Sequence, residues 1–254
     1  MVEHTSGRGV LVTGGSRGIG AAIARAFAEQ GDRVAVHYGT SVEAAETVLD
    51  SLPGDGHVVV QADVAQPDAV REAVDSAAQQ LGRLDVLVNN AGVFVAHPPL
   101  STSYEDWQDV WSRTLATNLG SAANATFCAI PHLRAAGGGA VVNVSSRGAF
   151  RGEPECPAYG ASKAGMNAFG QSMALVLAPH GITVGTVAPG FVETDMAREV
   201  LDGPGGDAVR GQSPFGRVAR PEEVAAAVVW LASPDARFAS GTIIDVNGAS
   251  YLRS

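Results

Sequence analysis

The sequence predicts a doubly wound α/β fold: a single domain, residues 1–254, with a seven-stranded parallel sheet and helices on both faces. Seven short valine-rich runs alternate with longer, alanine-rich segments whose apolar residues recur at helical spacing. The short runs are apolar almost throughout, as strands covered on both faces of a parallel sheet must be. With 46% hydrophobic and 17% charged residues, the 254-residue chain can bury one large core and is no disordered polymer.

In order, residues 9–13 (GVLVT) read as the first strand and 19–30 as a helix opening directly after a glycine-rich turn. Strand 34–37 (VAVH) leads to helix 43–51, and strand 58–61 (VVVQ) to helix 69–81. Strand 84–88 (LDVLV) precedes one long helix over 104–134. Strand 140–144 (AVVNV) precedes helix 159–180, and strand 182–188 (ITVGTVA) is followed at a distance by helix 222–232. Residues 242–246 (TIIDV) return as the seventh strand. Strands alternating with helices imply βαβ units. No Ser/Pro/Gly linker splits the chain. Residues 191–217, with LDGPGGD, lack periodicity and read as a substrate loop or as a surface excursion.

A formal net charge of −9 disfavours nucleic acid or an anionic membrane as partner. Cys128 and Cys156 provide neither a disulfide framework nor a zinc site, and six scattered histidines argue for no metal. The opening MVEHTSGRG lacks the apolar stretch of a secretory signal, and no apolar run reaches 18 residues, so the expectation is a cytoplasmic protein that does not span a membrane. Of 17 basic residues, 16 are arginine; Lys163 is the one lysine.

Between the first strand and first helix stands Thr13-Gly14-Gly15-Ser16-Arg17-Gly18-Ile19-Gly20. Glycines at 14, 18 and 20 allow a tight turn and close backbone approach to phosphate, and the helix N-terminus attracts a pyrophosphate. The second strand ends His37-Tyr38-Gly39-Thr40-Ser41, without the carboxylate that accepts from the ribose 2′-hydroxyl of NAD. A 2′-phosphate would instead find Arg17. That favours NADP(H) over NAD(H), although no arginine follows Tyr38; the alternative for Arg17 is a solvated loop charge. Tyr159 and Lys163, four residues apart on a predicted helix, project from one face. An ammonium there lowers the cost of forming a phenolate, as general acid–base work near neutral pH requires. Ser146, just past a predicted strand, or its neighbour Ser145, offers a hydroxyl in the crevice at the strand ends.

The TGxxxGIG turn, Asn89-Asn90-Ala91-Gly92, Ser146 with Tyr159-x-x-x-Lys163, and Pro189-Gly190 followed by Thr194 together resemble the short-chain dehydrogenase/reductase family over residues 7–250. Within it the chain is similar to 3-oxoacyl-thioester reductase-like members. The resemblance implies a Rossmann-type domain and reversible interconversion of a small-molecule carbonyl and a secondary alcohol. Tyr159 is then the acid/base, Ser146 the holder of the substrate oxygen, and Asn118 the support of a proton path to Lys163. It places the cofactor on Gly14, Ser16, Arg17, Gly18, Ile19, Gly20, Tyr38, Asp63, Val64, Asn90, Ala91, Gly92, Tyr159, Lys163, Pro189, Gly190, Val192 and Thr194. Helices around 104–134 and 159–180 pair in family homotetramers, so a homotetramer is expected. Arg147 and Arg151 keep an acidic carrier protein open as the bearer of the substrate. A cofactor-binding regulator without catalysis would have lost Tyr159, Lys163 or Ser146, and all three are present; a sugar epimerase or dehydratase would carry a further C-terminal domain. Cys156 reads as a packed thiol or a cleft residue, and Trp107 and Trp111 as core or interface.

Overall fold

The structure, a computed structural model, describes residues 7–253; residues 1–6 and 254 of the domain expected over 1–254 lie outside them. Seven parallel strands run in the order β3-β2-β1-β4-β5-β6-β7. They are β1 (Gly9–Val12), β2 (Arg33–Tyr38), β3 (Val58–Gln61), β4 (Val86–Asn89), β5 (Gly139–Val144), β6 (Ile182–Pro189) and β7 (Ile243–Val246). Strand order reverses between β1 and β4, which opens a crevice at their C-terminal ends.

Alternation along each strand feeds two apolar layers. Val10 and Val12 of β1 and Val34 and Val36 of β2 face one side, where α1 (Gly18–Glu29), α2 (Val42–Ser51) and α10 (Pro221–Leu231) cover them. Leu11 and Ala35 face the other, under α3 (Pro67–Leu81), α5 (Ser121–Ala135) and α7 (Pro157–Leu177). Phe27, Ile23, Leu81, Leu87 and Leu133 are fully buried. At roughly 1.5–3 kcal/mol per buried large side chain, such layers offset much of the chain entropy. No helix among the described residues is long and apolar enough to cross a membrane.

Most element ends shift by one or two residues, and the differences from expectation around the site are these. The helix over 104–134 is α4 (Tyr104–Leu115), one wide π-helical turn (Ala116–Gly120) and α5. In that turn Ser121 N–H donates to the Ala116 carbonyl, one residue further back than in an α-helix, and Asn118 turns inward. The helix α7 begins at Pro157, a residue suited to a first helical position, two residues earlier than expected. Residues 191–217 hold two short helices, α8 (Asp195–Asp202) and α9 (Gly206–Arg210), separated by Gly203-Pro204-Gly205. A short α6 (Gly148–Arg151) follows β5.

Candidate active site

The glycine turn is held from three sides. Thr13 Oγ1 accepts from the N–H groups of Asn90 (2.9 Å) and Ala91 (3.1 Å) and donates to the Val88 carbonyl. Asn90 Nδ2 donates to the carbonyls of Thr13 (2.9 Å) and Gly14 (3.0 Å). His37 Nδ1 accepts from Gly14 N–H at 3.0 Å. The turn needs its glycines: Gly14 and Gly18 have φ of +63° and +53°, and a Cβ on Gly20 would lie 2.1 Å from the Gly14 carbonyl oxygen.

These residues fit a dinucleotide pyrophosphate. Helix α1 begins after Arg17, whose side chain caps nothing, and its first turn holds no acidic residue. Its unpaired N–H groups and positive end are therefore left for an anion. Arg17 is exposed, Ser16 half-buried, and Ile19 packs on the apolar layer below the turn. At the second strand's end Tyr38 is half-buried. Asp63 is exposed, its Oδ1 accepting from Ala65 N–H at 3.0 Å, and Val64 packs against the layer under α3.

Across the crevice, Pro189 ends β6 and accepts from Arg147 N–H, and Gly190 N–H donates to the Val246 carbonyl. Val192 is buried, and the Thr194 methyl stands 3.2 Å from where a Cβ on Gly18 would be. The loop after β6 thus meets the phosphate turn.

On α7, Lys163 is buried with Nζ donating to the Val144 carbonyl at 2.8 Å and lying 5.9 Å from the Tyr159 ring centre. A Cβ on Gly92 would stand 3.3 Å from Asn118 Oδ1 and 3.5 Å from Lys163 Nζ, so these three residues border one space. Asn118 is fully buried: Oδ1 accepts from Val93 N–H (2.8 Å) while Nδ2 donates to the Val93 carbonyl and Ser162 Oγ, both at 3.0 Å.

The two serines part company. Ser145 is buried, its hydroxyl donating to the Lys163 carbonyl at 3.2 Å, whereas Ser146 is half-buried and accepts from Gly148 N–H at 3.0 Å. Burial pushes the Tyr159 phenol up from its ordinary value, Ser146 acts against this, and the Glu153 charge adds to the rise. Burial alone pulls Lys163 down to about 8. Cys156 is packed away, and burial raises its thiol to about 11.

No sequence motif marks Phe94 or His97, which border the site. Phe94 meets the Tyr159 ring edge-on, centres 4.8 Å apart, and leaves an apolar wall 43% exposed. His97 is buried; its Nε2 accepts from Ala158 N–H at 3.1 Å, which leaves Nδ1 protonated toward the Val95 carbonyl at 2.8 Å. The ring, packed edge-on against Trp107, thus caps the helix that carries Tyr159. Trp107 in turn packs on Trp111. His97→Phe is expected to cost about 1–3 kcal/mol, because a buried N–H loses its acceptor; an unchanged urea midpoint would refute the cap.

A glycine-rich turn at the switch point, facing a half-buried tyrosine, a buried lysine and a serine at the strand ends, defines a dinucleotide-dependent oxidoreductase. The family model described as enoyl-(acyl carrier protein) reductase matches residues 14–249. The chain is 38% identical over 247 residues to the 3-oxoacyl-(acyl-carrier-protein) reductase FabG of Staphylococcus aureus, covering 96% of this chain and 98% of that protein. It is 38% identical to the D-threitol dehydrogenase of Mycolicibacterium smegmatis, with coverage of 97% and 94%. The crystal structure of a short chain dehydrogenase from Burkholderia cenocepacia in complex with NADP superposes with a TM-score of 0.87 at 37% identity, covering 98% and 99%. The chain belongs to the short-chain dehydrogenase/reductase family and is an NAD(P)-dependent oxidoreductase acting on CH–OH and carbonyl groups.

Proposed function

We propose that the protein reduces a small-molecule carbonyl, or oxidises the corresponding secondary alcohol, with NADP(H) in preference to NAD(H). The observation that carries the reading is the convergence of Ser146, Tyr159 and Lys163 beside Asn118 and Gly92. The bound cofactor supplies or takes the hydride at its nicotinamide. Ser146 holds the substrate oxygen, and Tyr159 donates the proton in reduction and removes it in oxidation. Lys163 stabilises the phenolate, and Asn118 supports the path that returns the proton to it. Gly14 to Gly20 take the pyrophosphate and Asp63 and Val64 the adenine. Tyr38 lies along the adenosine ribose, and Asn90, Ala91 and Gly92 along the nicotinamide side. Pro189, Gly190, Val192 and Thr194 hold the carboxamide end. Residues 191–217 are the substrate loop.

Arg17 carries the preference for NADP(H): it is exposed at the turn, and the end of β2 holds no carboxylate to repel a 2′-phosphate. Arg17→Ala is expected to raise the Kd for NADPH about tenfold and that for NADH less than twofold, read by nucleotide fluorescence; equal losses would remove Arg17 from the argument.

A 3-oxoacyl thioester is the second reading, favoured by the relatives of that activity. Of the two arginines after Ser146, Arg147 is buried, donating to Ser250 Oγ and lying over the Phe191 ring, so only Arg151 faces solvent for an acidic carrier. A homotetramer is part of this proposal, since α5 leaves Phe127 and α7 leaves Leu175 and Val176 exposed. So is a cytoplasmic location, consistent with two free thiols. The test is consumption of NADPH and NADH against ketones, diketones, quinones and 3-oxoacyl thioesters. NADPH turnover on one class is expected; no turnover and no NADPH binding would overturn the reading.

A further inference from the structure

We propose that His37 is a positioning residue of the cofactor site: as a neutral imidazole protonated at Nε2 alone, it clasps the phosphate turn to the segment carrying Asp63 and Val64, and a second proton opens the clasp. This rests on the dinucleotide reading of the site.

His37 lies in β2 beside Val60 of β3 and is 3% exposed. Both ring nitrogens are engaged: Gly14 N–H donates to Nδ1 at 3.0 Å, and Nε2 stands 3.1 Å from the Ala62 carbonyl. An N–H can only donate and a carbonyl only accept, so Nδ1 is bare and Nε2 carries the proton. The main chain adds a third tie, Gly15 N–H to the His37 carbonyl at 2.8 Å. Gly14 is consequently held on both polar groups, its N–H by His37 and its carbonyl by Asn90 Nδ2. On the far side, Ala62 directly precedes Asp63. One buried ring therefore sets the spacing between the segments assigned to the pyrophosphate and to the adenine.

A second proton on Nδ1 would set two donors against each other, and the turn would have to move. Burial holds the ring below its ordinary basicity, with the Ala62 carbonyl acting in the other direction. The ionisable side chains on the segments that meet His37 are Arg17 on the turn, Arg33 and Tyr38 on β2, Asp63 after β3, and Asp68, Arg71, Glu72 and Asp75 on α3, which packs on this face of β2; none contributes to the shift. Cofactor affinity should therefore be full at neutral pH and decline as pH falls through the lowered pKa.

The test measures binding of NADPH and NADH by fluorescence between pH 5 and 8. NADH is needed because the 2′-phosphate of NADPH itself titrates near pH ~6. His37→Asn keeps an acceptor close to Nδ1 but does not titrate; His37→Phe keeps the ring and removes the acceptor. Wild-type affinity for NADH is expected to be about tenfold lower one pH unit below the midpoint of the His37 ring's own titration, and that of the Asn variant to stay within about twofold. The Phe variant should bind about tenfold more weakly at pH 7.5, with the loss falling on KM for the nucleotide and not on kcat. Imidazole nitrogen NMR of the cofactor-free protein gives a readout that needs no variant: at pH 7 His37 should show a bare Nδ1 and a protonated Nε2. An Nδ1-protonated ring, or an Asn variant that keeps the wild-type acid decline, overturns the clasp alone. Wild-type protein that binds neither nucleotide at pH 7.5 overturns the dinucleotide reading beneath it.

Discussion

Tyr159→Phe is expected to lower kcat by about 10²–10⁴-fold while NADPH binding stays close to wild type. The substitution removes one oxygen and leaves the packing intact. The ring keeps its edge-on contact with Phe94 at 4.8 Å and its position 5.9 Å from Lys163 Nζ. Burial and the Glu153 charge raise the phenol above its ordinary value, and the Ser146 hydroxyl only moderates this. The resting enzyme accordingly holds the proton on Tyr159, ready to be given to a substrate oxygen. Carbonyl reduction should run at neutral pH, whereas alcohol oxidation, which needs the phenolate, should speed up as pH rises. Single-turnover rates with NADPH and the best carbonyl of the panel check the first statement, and the pH profile of the reverse reaction checks the second. A Phe variant that retains more than a tenth of the wild-type rate would take Tyr159 out of the acid–base role.

Strands were legible where they are covered on both faces: a run such as GVLV over Gly9–Val12 is buried throughout and has no polar side to confuse the period. The Tyr159–Lys163 pair was legible from helical spacing, and the short distance from Lys163 to the Val144 carbonyl shows why that helix must lie over β5. What was not legible depends on partners remote in sequence. The wide turn at Ala116–Gly120 keeps helical spacing in the sequence, and Asn118 is drawn inward by Val93, 25 residues away. His37 and His97 look like ordinary histidines in apolar stretches because their partners, Gly14, Ala62 and Ala158, are backbone groups that no motif marks. Thr13 went unread as a site residue for the same reason, its hydroxyl serving the N–H groups of Asn90 and Ala91. Ser145 and Ser146 could not be separated by type, only by the strand: Ser145 continues the ladder of β5 through the Val187 carbonyl and turns toward α7, leaving Ser146 for the crevice. The helices α8 and α9, eight and five residues long, are too short for periodicity to register.

Lys163→Met is expected to make the protein more stable and far less active. Lys163 is 3% exposed with one hydrogen bond, to the Val144 carbonyl, and burial lowers its pKa from 10.5 to about 8. The sign follows from proton uptake. Above pH 10.5 the amine is neutral in both states and imposes no penalty. As pH falls from 10.5 to about 8 the unfolded chain takes up a proton that the fold resists, and the fold loses stability until both states are protonated. About 2.5 pKa units at 1.36 kcal/mol each is a cost of about 3 kcal/mol below pH 8. Methionine fills similar volume without the charge but leaves the Val144 carbonyl unpaired, returning about 1 kcal/mol. The variant should therefore gain about 2 kcal/mol at pH 7 and almost nothing near pH 9.5, read from urea unfolding at both pH values. A variant less stable than wild type at pH 7, or a difference that ignores pH, would contradict the buried ammonium. In the proposed mechanism the same substitution removes the cation that would stabilise the Tyr159 phenolate, so kcat should fall by about 10² or more. Stability surrendered at the one lysine of the chain is what a residue retained for chemistry, and not for the fold, should display.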